Sequence, residues 1–137
     1  MKEAHLNEEL DKRIKKVMPF RFMDPAPSDF LLERSEILLF DKGEVIIRQG
    51  EVNQSFYSIV EGNISVSINN ENGKDSYICS IGKGEVFGEA GMFLKVPRTA
   101  NVVCSDVTQV VMIPRISILK LIREFPWARL PVCHLSF

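Results

Sequence analysis

The chain is organised around the segment Gly82-Lys83-Gly84-Glu85-Val86-Phe87-Gly88-Glu89-Ala90-Gly91-Met92-Phe93-Leu94-Lys95-Val96-Pro97-Arg98-Thr99-Ala100. Gly88 and Gly91 lack side chains, so a ligand can approach the backbone closely at these positions. Residues 89–94 suffice for about one and a half helical turns, and the backbone N–H groups of residues 88–91 would then be free donors at the helix start. A helix start of this kind attracts anions.

Two charged side chains in this segment indicate a nucleotide. Glu89 would repel a bare phosphate, so its carboxylate is expected to accept a hydrogen bond from a sugar hydroxyl beside the phosphate. Arg98 follows Pro97, which ends the helix, and its planar guanidinium can bind two phosphate oxygens at once. The alternative is that Glu89 only complements the helix dipole and that Arg98 is a solvated surface residue.

The motif Phe87-Gly88-Glu89-Ala90-Gly91, followed by Pro97-Arg98-Thr99-Ala100, resembles the phosphate-binding cassette of the cyclic nucleotide-binding domain family. This family includes catabolite-activator-type regulators, kinase regulatory subunits and cyclic nucleotide-gated channels. The resemblance continues upstream in the family's order and spacing and covers about residues 30–125. Its upstream motifs are Phe40-Asp41-Lys42-Gly43-Glu44-Val45-Ile46, Gln49-Gly50-Glu51 and Ser55-Phe56-Tyr57-Ser58-Ile59-Val60-Glu61-Gly62. Ala90 departs from the pattern, which more often has leucine or isoleucine there.

The resemblance implies a mainly β fold, namely a double-stranded β-helix (jelly-roll) barrel with an N-terminal helix, a short cassette helix and C-terminal helices. It also implies roles for individual residues in binding a cyclic mononucleotide. The backbone donors to the cyclic phosphate would be Gly88, Ala90 and Gly91, and its charge partner would be Arg98. Glu89 would accept a hydrogen bond from the ribose 2′-hydroxyl. Val66, Ile68 and Thr99 would lie beside the purine base. The Thr99 hydroxyl can bond the 2-amino group of guanine, so it permits cyclic GMP without excluding cyclic AMP.

The function expected from this resemblance is a sensor that binds cyclic AMP, in preference to cyclic GMP, and signals by moving its terminal helices. It would be a binding protein rather than an enzyme, with no cofactor. One alternative is a jelly-roll module that binds other proteins and no ligand, and the survival of both Glu89 and Arg98 argues against it. Another is a haem-based gas sensor, for which a suitable Cys-x-His pair is lacking.

Composition sets the broader limits. A chain of 137 residues with 45% hydrophobic residues fits one domain with a single core, and a net charge of −1 gives no general attraction to nucleic acid or membranes. No apolar run approaches the ~20 residues of a membrane span, and the charged N-terminus is unlike a signal peptide, so a cytoplasmic location is expected.

Cys79, Cys104 and Cys133 are expected to be buried thiols without disulfides. The histidines His5 and His134 are far apart in the sequence, so no metal site is expected.

Three regions are predicted: residues 1–29 as an N-terminal helix and linker, residues 30–113 as the binding barrel, and residues 114–137 as a hinge helix with a short lid. The first helix is expected over residues 7–18, capped by Asn7 and ended by Pro19. Its apolar face would be Leu6, Leu10, Ile14 and Val17. Residues 20–28 contain two prolines and are predicted to be irregular.

Short β-type segments follow from residue 35 onward. Strands are predicted at residues 35–40, 44–48, 55–60, 63–69, 75–81, 100–105 and 108–113. Alternation with serine predicts that Ile64, Val66 and Ile68 face inward. Pro114 is expected to open a helix whose apolar face is Ile118, Leu121, Ile122 and Phe125.

The residues after Phe125 are too few for a helix-turn-helix module, so no DNA-binding module is expected in this chain. A kinase regulatory subunit would also need a second nucleotide domain and a pseudosubstrate segment. The sequence therefore predicts a sensor module, either whole or cut from a larger protein. Its partners would be a cyclic nucleotide and either a second copy or an effector protein reached through the terminal helices.

Overall fold

The computed structural model of the chain describes residues 1–89, 91 and 95–128. The strands are β1 (Lys2–Glu3), β2 (Glu36–Phe40), β3 (Val45–Ile47), β4 (Ser55–Glu61), β5 (Asn63–Asn69), β6 (Asp75–Gly82), β7 (Val86–Phe87), β8 (Asn101–Cys104) and β9 (Thr108–Pro114). The helices are α1 (Glu8–Ile14), a 3-10 helix (Phe20–Phe22), α2 (Pro25–Glu33) and α3 (Arg115–Glu124). Glu89 and Gly91 are also helical.

The strands form two antiparallel sheets, which confirms the mainly β jelly-roll prediction. One sheet has five strands in the order β1-β2-β9-β4-β7, and the other has four in the order β3-β8-β5-β6. The described strands make two open sheets rather than one closed barrel. Every predicted strand is present with ends shifted by two residues at most, because alternating apolar residues and turn residues mark strands well.

Strand β4, which lies between β9 and β7, is buried on both faces. Phe56 and Val60 belong to a helix-side core, and Tyr57 and Ile59 to an inter-sheet core. The helix-side core also contains Leu10, Ile14, Val17, Phe20, Leu31, Leu32, Ile37, Val111, Ile113, Ile118 and Leu121. The inter-sheet core also contains Leu38, Phe40, Ile47, Ile64, Phe87, Val102, Cys104 and Val110. The five-stranded sheet therefore separates the helices from the space between the sheets.

Helix α1 begins as predicted, with the Asn7 side chain accepting a hydrogen bond from the Leu10 N–H at 2.8 Å. It ends at Ile14 rather than at residue 18, since the following residues form turns. Leu10, Ile14 and Val17 are buried, as expected. Leu6 is 47% exposed because it precedes the cap and lies outside the helix, so its predicted place in the core is wrong.

The prediction of an irregular linker over residues 20–28 is also wrong. Phe20 starts a 3-10 helix and is buried, and Pro25 starts helix α2. Proline is favoured in the first helical turn, where the N–H group that it lacks has no partner to lose. Pro27 and Ser28 are buried as part of α2, so this segment belongs to the packed structure.

The C-terminal helix α3 starts after Pro114 as predicted, and Ile118 and Leu121 are buried. Ile122 is exposed, which contradicts its expected place on the buried face, because α3 turns only a narrow stripe toward the helix-side core. The expected lid over residues 127–137 lies mostly outside the described residues. Within the described part of the chain, no helix is both long and apolar enough to span a bilayer.

Ile14→Ala should lower the free energy of unfolding by about 2 to 5 kcal/mol, because Ile14 is fully buried between α1 and the five-stranded sheet. Leu6→Ala removes a similar side chain from an exposed position and should change it by less than about 0.5 kcal/mol. Urea denaturation of both variants measures the difference. Equal losses would show that α1 does not pack on the sheet as described.

Candidate functional site

A cavity of about 530 Å³ lies between the four-stranded sheet and the segment that follows β7. Its lining residues are Ile47, Val66, Cys79, Ser80, Ile81, Glu85, Val86, Phe87, Gly88, Glu89, Arg98, Thr99, Ala100 and Val102. The volume falls in the range of sites that bury one small ligand. Most of the predicted binding residues are therefore brought together around one space.

Individual predicted residues differ in their placement. Gly88, Glu89, Arg98, Thr99 and Val66 line the cavity. Ile68 is half-buried and does not line it, so its position does not match the one expected beside a base. Gly91 is not among the lining residues, and a Cβ atom added to it would meet Arg98, whereas Ala90 falls outside the described residues.

The Arg98 backbone is fixed by the segment that precedes β4. Its N–H donates to the Glu51 carbonyl at 2.8 Å, and its carbonyl accepts from the Gly50 N–H at 2.7 Å. The guanidinium then crosses to the start of the cassette, where Nη1 donates to the Gly88 carbonyl at 2.7 Å, and Nη2 donates to the Ser55 carbonyl. Arg98 therefore ties together three separate parts of the chain.

Burial of Arg98 removes its positive charge from water, which costs free energy. The residue is 9% exposed, and its Nε has no hydrogen-bond partner among the described residues. Burial lowers the pKa of the Arg98 guanidinium below its usual value, while attraction to Tyr57, Glu51 and Glu89 works in the opposite direction. A buried cation that is bonded only to neutral carbonyls is suited to receive an anion.

Glu89 places an acceptor in the same cavity. The residue is 8% exposed, and its Oε2 is buried without a hydrogen-bond partner in the described part of the chain. A buried carboxylate oxygen without a donor costs free energy, so the site favours a ligand that supplies one. A ligand suited to this cavity therefore supplies both a hydrogen-bond donor for Glu89 and an anionic group for Arg98.

Gly88 and Gly91 have no side chain, which allows the Arg98 guanidinium to lie against the backbone at these two positions. A Cβ atom on Gly91 would lie 2.3 Å from Arg98 Cζ, well inside van der Waals contact. Gly88 has a φ of 83°, which disfavours any other residue, and a Cβ there would lie 3.2 Å from Nη1. The sequence analysis assigned both glycines to ligand approach, but each of them also accommodates Arg98.

The sequence analysis missed other parts of the site. Ser55 supplies a carbonyl to Arg98, and no sequence pattern identifies a carbonyl by its direction. Cys79, Ser80 and Ile81 all line the cavity from β6, so alternation along this strand would not have identified them. Cys79 is exposed rather than buried, which corrects the prediction, because β6 is an edge strand. Cys104 is buried as expected, and Cys133 lies outside the described residues.

Among the described residues, no group of three or more His, Cys, Asp or Glu side chains could hold a metal ion. Among the described residues that line the cavity, Glu89 and Arg98 each have a buried polar atom without a hydrogen-bond partner. Their arrangement favours binding of a molecule that carries both an anionic group and hydroxyl donors.

Comparison with known proteins agrees with this chemistry. The profile of the cyclic nucleotide-binding domain family matches residues 37–125, which is more than half of the chain. The chain belongs to the cyclic nucleotide-binding domain family. The matched region includes the four-stranded sheet, the five-stranded sheet from Ile37 onward, and the cavity residues Glu89 and Arg98.

Individual relatives in this family are regulators of different kinds. The cGMP-dependent protein kinase of Plasmodium berghei (strain Anka) is 32% identical over 90 residues, covering 66% of this chain and 10% of that protein. The cyclic AMP receptor protein of Thermus thermophilus is 27% identical over 107 residues, covering 78% of this chain and 50% of that protein. The crystal structure of the Thermus thermophilus catabolite activator protein matches with a TM-score of 0.70 and 27% identity, over 81% of this chain and 50% of that chain. The chain thus spans half or less of these relatives' length.

The contact between Gly91 and Arg98 can be tested without a ligand. Gly91→Ala should lower the free energy of unfolding by about 1 to 3 kcal/mol, because the added methyl collides with the guanidinium. In an Arg98→Ala background the same substitution should cost much less, since the colliding group is gone. Urea denaturation of the two single variants and the double variant gives the coupling. Additive losses would contradict the described contact.

Proposed function

We propose that this chain is a regulatory module that reversibly binds a cyclic purine mononucleotide in the 530 Å³ cavity and catalyses no reaction. The observation that carries the proposal is the pair of Arg98 and Glu89, both buried and both with an unpartnered polar atom in the described structure. A cyclic nucleotide supplies a phosphate anion and a ribose hydroxyl on one rigid ring. Membership of the family supports the same ligand class.

In the proposed complex the cyclic phosphate binds the free donors of Arg98. A guanidinium has five N–H donors, and two of them go to the Gly88 and Ser55 carbonyls. Nε and the remaining donors are left for phosphate oxygens, so the anion can bind without displacing either carbonyl. The N–H groups of Gly88, Ala90 and Gly91 would add neutral donors to the phosphate.

The ribose 2′-hydroxyl is proposed to donate to Glu89 Oε2, the oxygen that lacks a partner among the described residues. The base would then lie toward Val66 and Thr99, which line the cavity farther along the sheet. Ile68 does not line the cavity, so the proposal gives it no direct contact with the base.

We infer a preference for cyclic AMP over cyclic GMP. Thr99 is exposed to the cavity, and its hydroxyl can accept or donate a hydrogen bond, so it tolerates either purine. One relative is described as cGMP-dependent and another as a cyclic AMP receptor. The preference rests on the sequence, in which no guanine-specific signal other than Thr99 was identified. Titration of both nucleotides measures it directly.

The proposed signal leaves the cavity through the start of α3. Arg98 binds the Ser55 carbonyl, Ser55 pairs with Pro114, and the Arg115 N–H donates to the Gln54 carbonyl at 2.9 Å. A ligand that fixes Arg98 would therefore fix the strand end on which α3 begins. We propose that residues 1–29 and 114–137 carry this change to a second copy or an effector protein, in the cytoplasm.

The Arg98 assignment predicts that Arg98→Ala weakens cyclic AMP binding by about 3 to 5 kcal/mol, since a desolvated phosphate would lose its charge partner. That loss corresponds to about two to three and a half decades in Kd. Arg98→Lys should recover only part of the affinity, because an ammonium cannot bind two oxygens as a planar fork does. Isothermal titration calorimetry with cyclic AMP, cyclic GMP and linear AMP provides the measurement.

The matched control is Lys74→Ala, which removes one positive charge from an exposed turn outside the cavity and should leave Kd unchanged. Circular dichroism should show that every variant remains folded. Binding of cyclic AMP to Arg98→Ala within threefold of the parent Kd would disprove the assignment. If the parent protein binds none of the three nucleotides, the ligand-free interaction module becomes the better description.

The Glu89 assignment predicts that Glu89→Ala weakens cyclic AMP binding by about 1.5 to 3 kcal/mol, the usual range for a hydrogen bond to a charged group. Removing the 2′-hydroxyl from the ligand should weaken binding by a similar amount, and the two losses should not add. Glu85→Ala is the matched control, because it removes another carboxylate from the cavity wall. Its effect should be the same for the 2′-hydroxy and 2′-deoxy ligands. Additive losses for Glu89→Ala would exclude its contact with the hydroxyl.

A further inference from the structure

The Cys79 thiol opens into the cavity assigned to the nucleotide. Cys79 lies on β6 directly opposite Val66 of β5, and both residues line the cavity. Cys79 is nevertheless exposed, whereas the other described cysteine, Cys104, is 2% exposed. A reagent can therefore reach Cys79, and any group attached to it would project toward the cavity.

The local strand geometry accounts for this exposure. β6 is the last strand of the four-stranded sheet, so no other described strand covers its outer edge. The pairing of β5 with β6 shifts between Val66 and Ser67, which leaves Ile78 as an extra residue next to Cys79. Such a bulge disrupts the ladder locally and bends the strand.

We propose that Cys79 is a site of reversible thiolation and that a small thiol attached there excludes the nucleotide. The proposal rests on the proposed function above. Independent support for a ligand in this space comes from the buried and unpartnered Arg98 Nε and Glu89 Oε2. A peptide thiol such as glutathione carries carboxylates for Arg98 and an ammonium group for Glu89. A cavity of about 530 Å³ holds one ligand of this size, so the adduct and the nucleotide compete.

The chemistry is thiol–disulfide exchange with a low-molecular-weight disulfide. The Cys79 thiolate attacks one sulfur of oxidised glutathione, a new S–S bond forms to Cys79, and the original S–S bond breaks. The leaving thiolate takes up the proton that Cys79 released and departs as reduced glutathione. A reducing thiol reverses the step, which makes the block reversible.

The test uses the full chain with Cys133→Ser, so that Cys79 and the buried Cys104 are the remaining thiols. The reduced protein is first titrated with cyclic AMP, then treated with oxidised glutathione and titrated again, with peptide mass spectrometry locating the adduct. We expect the adduct on Cys79, a loss of affinity of about tenfold or more, and recovery after reduction with dithiothreitol. Saturating cyclic AMP, added before the oxidised glutathione, should slow modification of Cys79 by about tenfold.

Two variants provide the controls. Cys79→Ser should bind cyclic AMP and be insensitive to oxidised glutathione. Cys79→Ser combined with Asn72→Cys places an exposed thiol in the β5–β6 turn, away from the cavity, and its thiolation should not change Kd. Unchanged affinity after modification of Cys79, or no protection by cyclic AMP, would overturn this inference while leaving the proposed function intact. A reduced protein that binds no cyclic nucleotide would overturn both.

Discussion

The buried guanidinium of Arg98 is the constraint on which the site depends. Its charge is taken out of water and is bonded, within the described structure, to the carbonyls of Gly88 and Ser55. The backbone of the same residue pairs with Gly50 and Glu51, so one arginine joins the segment before β4, the start of β4 and the segment after β7. Because a side chain at Gly91 would occupy the guanidinium's position, the choice of glycine there follows from the choice of arginine. The cavity wall is thus built around a cation.

The two cores explain how a ligand site and a helical face coexist in a small domain. Strand β4 alternates between them, with Phe56 and Val60 toward the helices and Tyr57 and Ile59 toward the space between the sheets. A strand that is buried on both faces reads as a continuous apolar run rather than an alternating one. The polar exception is Ser58, which is fully buried and donates a hydrogen bond to the Met18 carbonyl. That bond ties the N-terminal segment to β4, the strand that pairs with β7.

Sequence patterns predicted the strands well, because strands depend on local alternation, and the structure places the candidate pair Glu89 and Arg98 in one cavity. They failed where tertiary packing decides the outcome, as for residues 20–28, where two prolines indicated a loop but Pro25 begins α2. The β5–β6 hairpin gives a second example. Counting back from the Asn69–Asp75 pair would place Ile78 opposite Val66, but the extra residue puts Cys79 there instead. A bulge leaves no clear mark in one sequence, so the register that places Cys79 opposite Val66 could not be predicted. The burial predicted for Cys79 from its apolar neighbours is wrong for a different reason, namely that β6 is an edge strand.

The hydrogen bonds of the Arg98 side chain determine how binding of a ligand in the cavity would affect the start of β4. If phosphate had to displace the Ser55 carbonyl, binding would loosen the start of β4, and each gained bond would be offset by a lost one. The guanidinium has five N–H donors and uses one each for the Gly88 and Ser55 carbonyls, so in the proposed complex an anion takes remaining donors while the bond to Ser55 is kept. An anion also favours the charged form of the arginine, which burial alone disfavours. Under the proposed function, binding of an anion at this position would strengthen the link from Arg98 through Ser55 to Pro114, the residue before α3.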